Sequence, residues 1–178
     1  MKIVDIFATR NLFAVHYDGA HYNEYRRLME LWEDTEALEQ FLKANSKDIP
    51  PHKSVYTVLE EIIEESYEIN DTLLDIIETE PINIDSLFAP LDNSEYREVL
   101  LSIRKGKGRT KHLRLYAIKI ARDTYLITGG AIKLPLHHLM DDRIHTKLEK
   151  QKLINARDYL RSKGVHDKES FFEFLNDL

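Results

Sequence analysis

Between residues 113 and 134 the chain writes a strand pattern. Leu113, Leu115 and Ala117 are interleaved with Arg114, Tyr116 and Ile118, and the run from Tyr125 to Leu134 is apolar and rich in β-forming residues. Side chains on a strand alternate between its two faces, so the pattern predicts two antiparallel strands joined at Arg122-Asp123. A sheet of this kind buries its apolar face against helices, and the rest of the sequence supplies them.

Asn23 is placed to cap a helix over 23–43, whose apolar positions Tyr25, Leu28, Leu31, Trp32, Leu38, Phe41 and Leu42 follow helical spacing. Pro50-Pro51 interrupts the chain before a second helix over 54–78, with Val55, Val58, Leu59, Ile62, Ile63, Ile69, Leu73 and Ile77 on one face. Its other face carries Glu60, Glu61, Glu64, Glu65, Glu68, Asp71 and Asp75, which reads as a solvated surface or as a docking surface for a basic partner. A third helix over 142–162 contains Leu148, Leu153, Ile154 and Tyr159 and stops at Gly164. A short last helix carries Phe171, Phe172, Phe174 and Leu175. At the start, Ile3 to Phe7 and Leu12 to Val15 predict a hairpin over 2–17 turning at Arg10-Asn11. Around Ser94 to Ile103 the pattern fits a short helix or a strand.

The expected class is α+β: a small antiparallel sheet with helices packed on one face, an additional N-terminal hairpin and a long acidic helix. With 178 residues the chain reads as one domain. Residues 1–100 form an acidic hairpin-plus-helices part, 101–163 a basic sheet-plus-helix part, and 164–178 a C-terminal helix.

Charge divides the chain the same way. Residues 1–100 carry 8 basic and 22 acidic side chains, a net of −14, whereas 101–178 carry 17 and 9, a net of +8. The reversal concentrates in 104–122, where Arg104, Lys105, Lys107, Arg109, Lys111, Arg114, Lys119 and Arg122 occur with no acid among them. A soluble chain with such a segment meets an anionic partner, most commonly nucleic acid. With no cysteine, disulfides, thiolate metal sites and cysteine nucleophiles are excluded. No apolar run reaches the length of a signal peptide or a membrane span, so the expectation is a cytoplasmic protein without membrane partners.

The glycines of Arg104-Lys105-Gly106-Lys107-Gly108-Arg109 allow a tightly turned cationic loop, but the Gly-Lys-Ser/Thr ending of a nucleotide-binding P-loop is missing, so nucleotide hydrolysis is not expected. Arg104, Lys105, Lys107, Arg109 and Lys111 are the candidate RNA-binding residues. On the strand that follows, Arg114 and Tyr116 share a face: the arginine can clamp a phosphate with two parallel hydrogen bonds, and the tyrosine can stack on a base or donate a proton. Equally, both can simply cover a polar sheet face. Gly129-Gly130 marks a bulge or a cleft floor, and Lys133 lies near Arg114 if the two strands pair. His137, His138, Asp141, Asp142 and His145 have spacings that suggest a metal, but Pro135 breaks the helical register and capping explains the acids more simply. No metal or other cofactor is expected, and a histidine here can serve in metal-free proton transfer.

The order of basic loop, Arg114-Leu115-Tyr116 strand, hairpin, second strand running from Gly129-Gly130 to Lys133, and Lys/Arg-rich helix resembles the RelE/ParE-like toxin superfamily of bacterial toxin–antitoxin systems over residues 100–160. The resemblance implies metal-independent mRNA cleavage, free or on the ribosome, in which the RNA 2′-hydroxyl attacks the adjacent phosphate. It implies Arg114 and Lys133 as phosphate-binding cations, with Lys105 and Lys107 before the strand. Tyr116, His137 or His138 are the candidates for proton transfer, and a helix-turn-helix antitoxin is the implied partner. The N-terminal hairpin and acidic helix have no counterpart in that family. Two other readings stay open beside the toxin: a non-catalytic RNA- or ribosome-binding module, and a docking protein using its acidic helix and basic face. The sequence leaves the oligomeric state undetermined.

Overall fold

Strands β1 (Lys2–Asp5) and β2 (Leu12–His16) form the expected antiparallel hairpin, with Lys2 opposite His16. Their connection is longer than a turn at Arg10-Asn11: Asp5 accepts from the Arg10 N–H at 2.8 Å, and Ala8 and Arg10 adopt positive φ of 56° and 60°. This is a computed structural model, and it describes residues 1–90, 98–101, 104–105, 108–109, 111–136 and 144–177. At 89–90, 98–101, 104–105, 108–109 and 144–146 it describes the backbone alone.

The single helix expected over 23–43 is two, α1 (Glu24–Glu33) and α2 (Thr35–Ala44). Asn23 caps the first as predicted, accepting from the Arg26 N–H at 3.0 Å. Asp34 leaves the helical conformation and accepts from the N–H groups of Glu36 and Ala37, both at 3.0 Å, which starts a new helix at a bend. The apolar period runs on across this break, so periodicity alone conceals it. Helix α3 (Val55–Glu78) matches the reading closely, with Ser54 as its cap.

After a 3₁₀ turn at Ile84–Ser86 come β3 (Ala89–Pro90) and β4 (Glu98–Leu101), so the segment left between helix and strand is a strand where it is described. Ser94 and Tyr96 fall outside the described residues. Strands β5 (Arg104–Lys105) and β6 (Gly108–Arg109) pair with each other as a separate small hairpin. The predicted strand pair follows as β7 (Leu113–Ala121) and β8 (Thr124–Ile132), joined at Arg122-Asp123. Helices α4 (Ile144–Ser162) and α5 (Lys168–Asn176) complete the chain, with Gly164 at φ 78° ending α4.

The fold is α+β. Its main sheet has the order β1-β2-β8-β7-β4-β3, so the N-terminal hairpin joins the sheet of the basic half. Two details differ from expectation. The sheet is mixed, because β2 runs parallel to β8 with Phe13 beside Leu126. Helices also cover both faces instead of one. On one face Leu12, Ala14, Leu115, Ala117, Tyr125 and Ile127 pack with Leu28 and Trp32 of α1, Leu38 of α2 and Ile62, Ile69 and Leu73 of α3. On the other, Phe13, Val15, Ile118 and Leu126 pack with Leu153, Ala156 and Leu160 of α4 and Phe171 of α5. The reason lies in β2, whose consecutive residues Leu12 to Val15 are all buried, the mark of a strand covered on both sides. Each such large apolar side chain contributes about 1.5–3 kcal/mol on burial. Among the described residues no helix is long and apolar enough to cross a membrane.

Candidate nucleic-acid interface

The β7–β8 ladder sets Leu113 opposite Ile132 and Arg114 opposite Ala131. Just beyond it, the Lys133 N–H donates to the His112 carbonyl at 2.6 Å. Arg114 and Lys133 therefore lie at the same end of the sheet, where the chain arrives from the β5–β6 hairpin. Arg114 is half-buried, and its Nη1 donates to the Leu113 carbonyl at 2.6 Å. Lys111 is exposed, with 69% of its side chain accessible. The side chains of Arg104, Lys105 and Arg109, and the whole of Lys107, lie outside the described residues, as do His137, His138, Asp141 and Asp142. Of His145 only the backbone is described. Among the described residues no cluster of three or more His, Asp or Glu could hold a metal ion.

The acidic helix reaches this end of the sheet. Glu65, buried, accepts from the N–H groups of three successive residues, Lys111 at 2.9 Å, His112 at 2.9 Å and Leu113 at 3.0 Å. One turn earlier, both carboxylate oxygens of Glu61 accept from Lys53 Nζ at 2.7 Å, and Oε2 also meets the His112 ring Nε2 at 2.8 Å, with Lys111 Nζ 3.8 Å from Oε1. A carboxylate only accepts here, so His112 carries its proton on Nε2, and its buried Nδ1 finds no partner among the described residues. Partial burial pushes the Glu61 carboxyl up, yet the hydrogen bonds and charges of Lys53 and His112 outweigh it and hold the group down at about 2.

Two acids of the supposed solvated face are thus structural partners of the basic run. A signal was present: position 65 falls in line with Val58, Ile62 and Ile69, so a glutamate there interrupts an apolar stripe. The same theme recurs at the far end of β7. There Lys119 Nζ meets Asp85 at 2.9 Å, and Asp85 also accepts from the Tyr125 hydroxyl at 2.7 Å and the Asp123 N–H at 3.0 Å. Arg122, next in the run, is 91% exposed along its side chain.

Arg114 and Tyr116 do share the face opposite Leu113, Leu115 and Ala117, as alternation predicts, but α4 packs on that face and Tyr116 is 1% exposed. Burial pushes its phenol up, Arg114 opposes this and Glu149 adds to it. Opposite Tyr116 stands Gly129, and a register shift there brings Ile127 opposite Ala117, so Thr128 bulges and its hydroxyl donates to the Tyr116 carbonyl at 3.3 Å. The bulge thus falls on Thr128, next to the glycine pair, and of the two glycines Gly130 floors a cleft. A Cβ on Gly130 would stand 2.7 Å from the Arg114 carbonyl, and the Gly130 N–H donates to Glu149 at 2.9 Å. Glu149 belongs to an ionic group in which Arg27 grips Glu24 through two bonds of 2.8 and 2.7 Å and Lys152 bridges to Glu149 at 2.7 Å. Beside it Gly130, Ala131 and Ile132 floor a cleft of about 170 Å³ whose walls include Trp32, Leu38 and Phe41.

Fold and site together define an α+β protein with a mixed, doubly covered sheet and a cationic sheet end pinned to an acidic helix. No family model, curated protein or solved structure matches this chain.

Proposed function

We propose that the protein binds RNA, free or on the ribosome, through the cationic end of its sheet, as a non-catalytic module within the RelE/ParE-like resemblance of residues 100–160. The observation that carries this reading is the β7–β8 register, which groups Arg114, Lys133 and Lys111 where the Arg/Lys-rich segment 104–109 joins the sheet. Glu61 and Glu65 offset part of that charge, but the segment and the strand ends together carry more cations than these two acids neutralise. A strand-borne arginine is positioned by the ladder, and Arg114, half-buried with its Nη1 on the Leu113 carbonyl, adds its positive charge to this end of the sheet.

Transesterification needs a proton-transfer group within reach of the 2′-hydroxyl. Of the three candidates for that role Tyr116 is closed off by α4, and His137 and His138 lie outside the described residues, so the reading is confined to binding. The test is fluorescence anisotropy with a single-stranded RNA oligonucleotide in EDTA, repeated over a range of salt. Affinity falling steeply with salt, and weakened in both Arg114→Ala and Lys133→Ala, is the expected result. Salt-independent or undetectable association rejects the reading. RNA cut in EDTA, with or without ribosomes, restores the endoribonuclease, as does growth arrest on expression that Arg114→Ala abolishes. Co-purification of a helix-turn-helix protein would add the antitoxin partner of that alternative.

A further inference from the structure

Helix α4 meets the sheet in two different ways along its length. Its C-terminal part is anchored by apolar packing, through Leu153, Ala156 and Leu160. From Lys147 to Lys152 none of the described side chains joins either apolar core, and Leu148 is 59% exposed. The contacts described for this part with the sheet and α1 are polar. Glu149 accepts from the Gly130 N–H at 2.9 Å and from Lys152 Nζ at 2.7 Å, with Arg27 Nη2 at 3.8 Å, and Lys152 Nζ also lies 3.4 Å from Glu24. We propose that Glu149 is a latch, whose release lets the N-terminal half of α4 lift from the sheet and uncover Arg114 and Tyr116.

The seat of the latch is built into β8. A Cβ on Gly129 would run into the Glu149 carboxylate, so only glycine at this position lets that side chain reach the strand backbone. Gly129 stands opposite Tyr116 in the ladder, which puts the latch beside the place where the buried phenol is enclosed. The ionic group is balanced, with Arg27 and Lys152 against Glu24 and Glu149, and the Glu24 side chain is 3% exposed. Removing one member of such a group leaves the others uncompensated, so the contact is made or lost as a unit. A segment with few buried apolar contacts opens locally at lower free energy than the core it covers, whereas Leu153 to Leu160 stay with the sheet.

The latch governs access to the face that carries Arg114 but does not rest on RNA binding, because its opening is read on the protein alone. Amide hydrogen exchange of the full-length protein, followed by NMR, is the test. In Glu149→Ala, exchange at Gly130 and at residues 147–152 should be faster than in wild type by about tenfold or more, with Leu153 to Leu160 and α5 unchanged. Glu149→Gln keeps an acceptor for the Gly130 N–H but loses the charge, and should give a smaller increase at the same amides. Wild type in about 1 M salt, which screens exposed charges, should move in the same direction. Gly129→Ala, which pushes the carboxylate off its seat without removing it, should reproduce the pattern. Nitration by tetranitromethane, mapped on peptides, should reach Tyr116 in Glu149→Ala and not in wild type. Unchanged exchange at 147–152, an increase spread evenly over the chain, or a Tyr116 that stays unreactive in both Glu149→Ala and Gly129→Ala overturns the latch. RNA anisotropy that stays flat rejects the RNA reading and leaves the latch standing.

Discussion

The carboxylate of Glu65 lies 3.0 Å from the backbone nitrogen of Leu113, the first residue of β7, and it holds the two preceding N–H groups as well. A helix side chain thereby supplies the hydrogen bonds that a neighbouring strand would give farther along the sheet. Glu65→Ala leaves buried donors unpaired, and a bond to a charged group is worth roughly 1.5–3 kcal/mol, so a loss of about 3 kcal/mol is expected. Urea unfolding measures it. A loss below about 0.5 kcal/mol would mean that the entry to β7 is held by something else.

Glu61 makes stability depend on acid. Its carboxyl sits at about 2 in the folded protein against an ordinary value of 4.5, so its contribution is complete above about pH 4.5 and fades as the pH falls toward 2. Thermal melts of wild type and Glu61→Gln should differ most above pH 5 and converge through that window. Parallel pH profiles would show that Lys53 and His112 do not hold this group.

The two glycines beside the Thr128 bulge should respond differently to alanine. At Gly130 the added methyl meets the Arg114 carbonyl at 2.7 Å and Leu28 at 2.9 Å, neither of which can retreat without moving strand or core. A cost of about 1–3 kcal/mol is expected. At Gly129 the obstacle is the carboxylate end of Glu149, which can rotate away at the expense of its bond to the Gly130 N–H. Gly129→Ala should therefore lower the melting temperature less than Gly130→Ala, and the reverse order would contradict the assignment of the two faces.

Tyr116 separates binding from chemistry. With the ring buried, Tyr116→Phe removes one oxygen and little volume, so RNA affinity should match wild type within about twofold, a difference of roughly 0.4 kcal/mol. A toxic activity that persists in wild type and vanishes in Tyr116→Phe, with the melt unchanged, would return this phenol to a catalytic role.

Much of the local structure was legible from residue order. Ser54 and Asn23 start helices because their side chains satisfy free N–H groups nearby in sequence, and Gly164 ends α4 because it accepts a positive φ. The split at Asp34 escaped because an apolar stripe can continue across a bend. At the candidate site, alternation correctly paired Arg114 with Tyr116 on one face. It carried no information on what covers that face, since α4 begins twenty-eight residues after Tyr116 and its packing is a long-range event.

By itself the sequence determined the α+β class, the β7–β8 pairing and the reversal of charge between the halves, all of which follow from periodicity, capping and composition over short spans. Tertiary structure alone decided that β2 lies parallel beside β8, that helices close both faces and that Tyr116 is enclosed. It also decided that Glu61 and Glu65 of the acidic helix meet Lys111 and His112, roughly fifty positions away. Opposite charges in a sequence permit many pairings, and only the burial of the α3 stripe against the sheet brings these particular groups within hydrogen-bond distance.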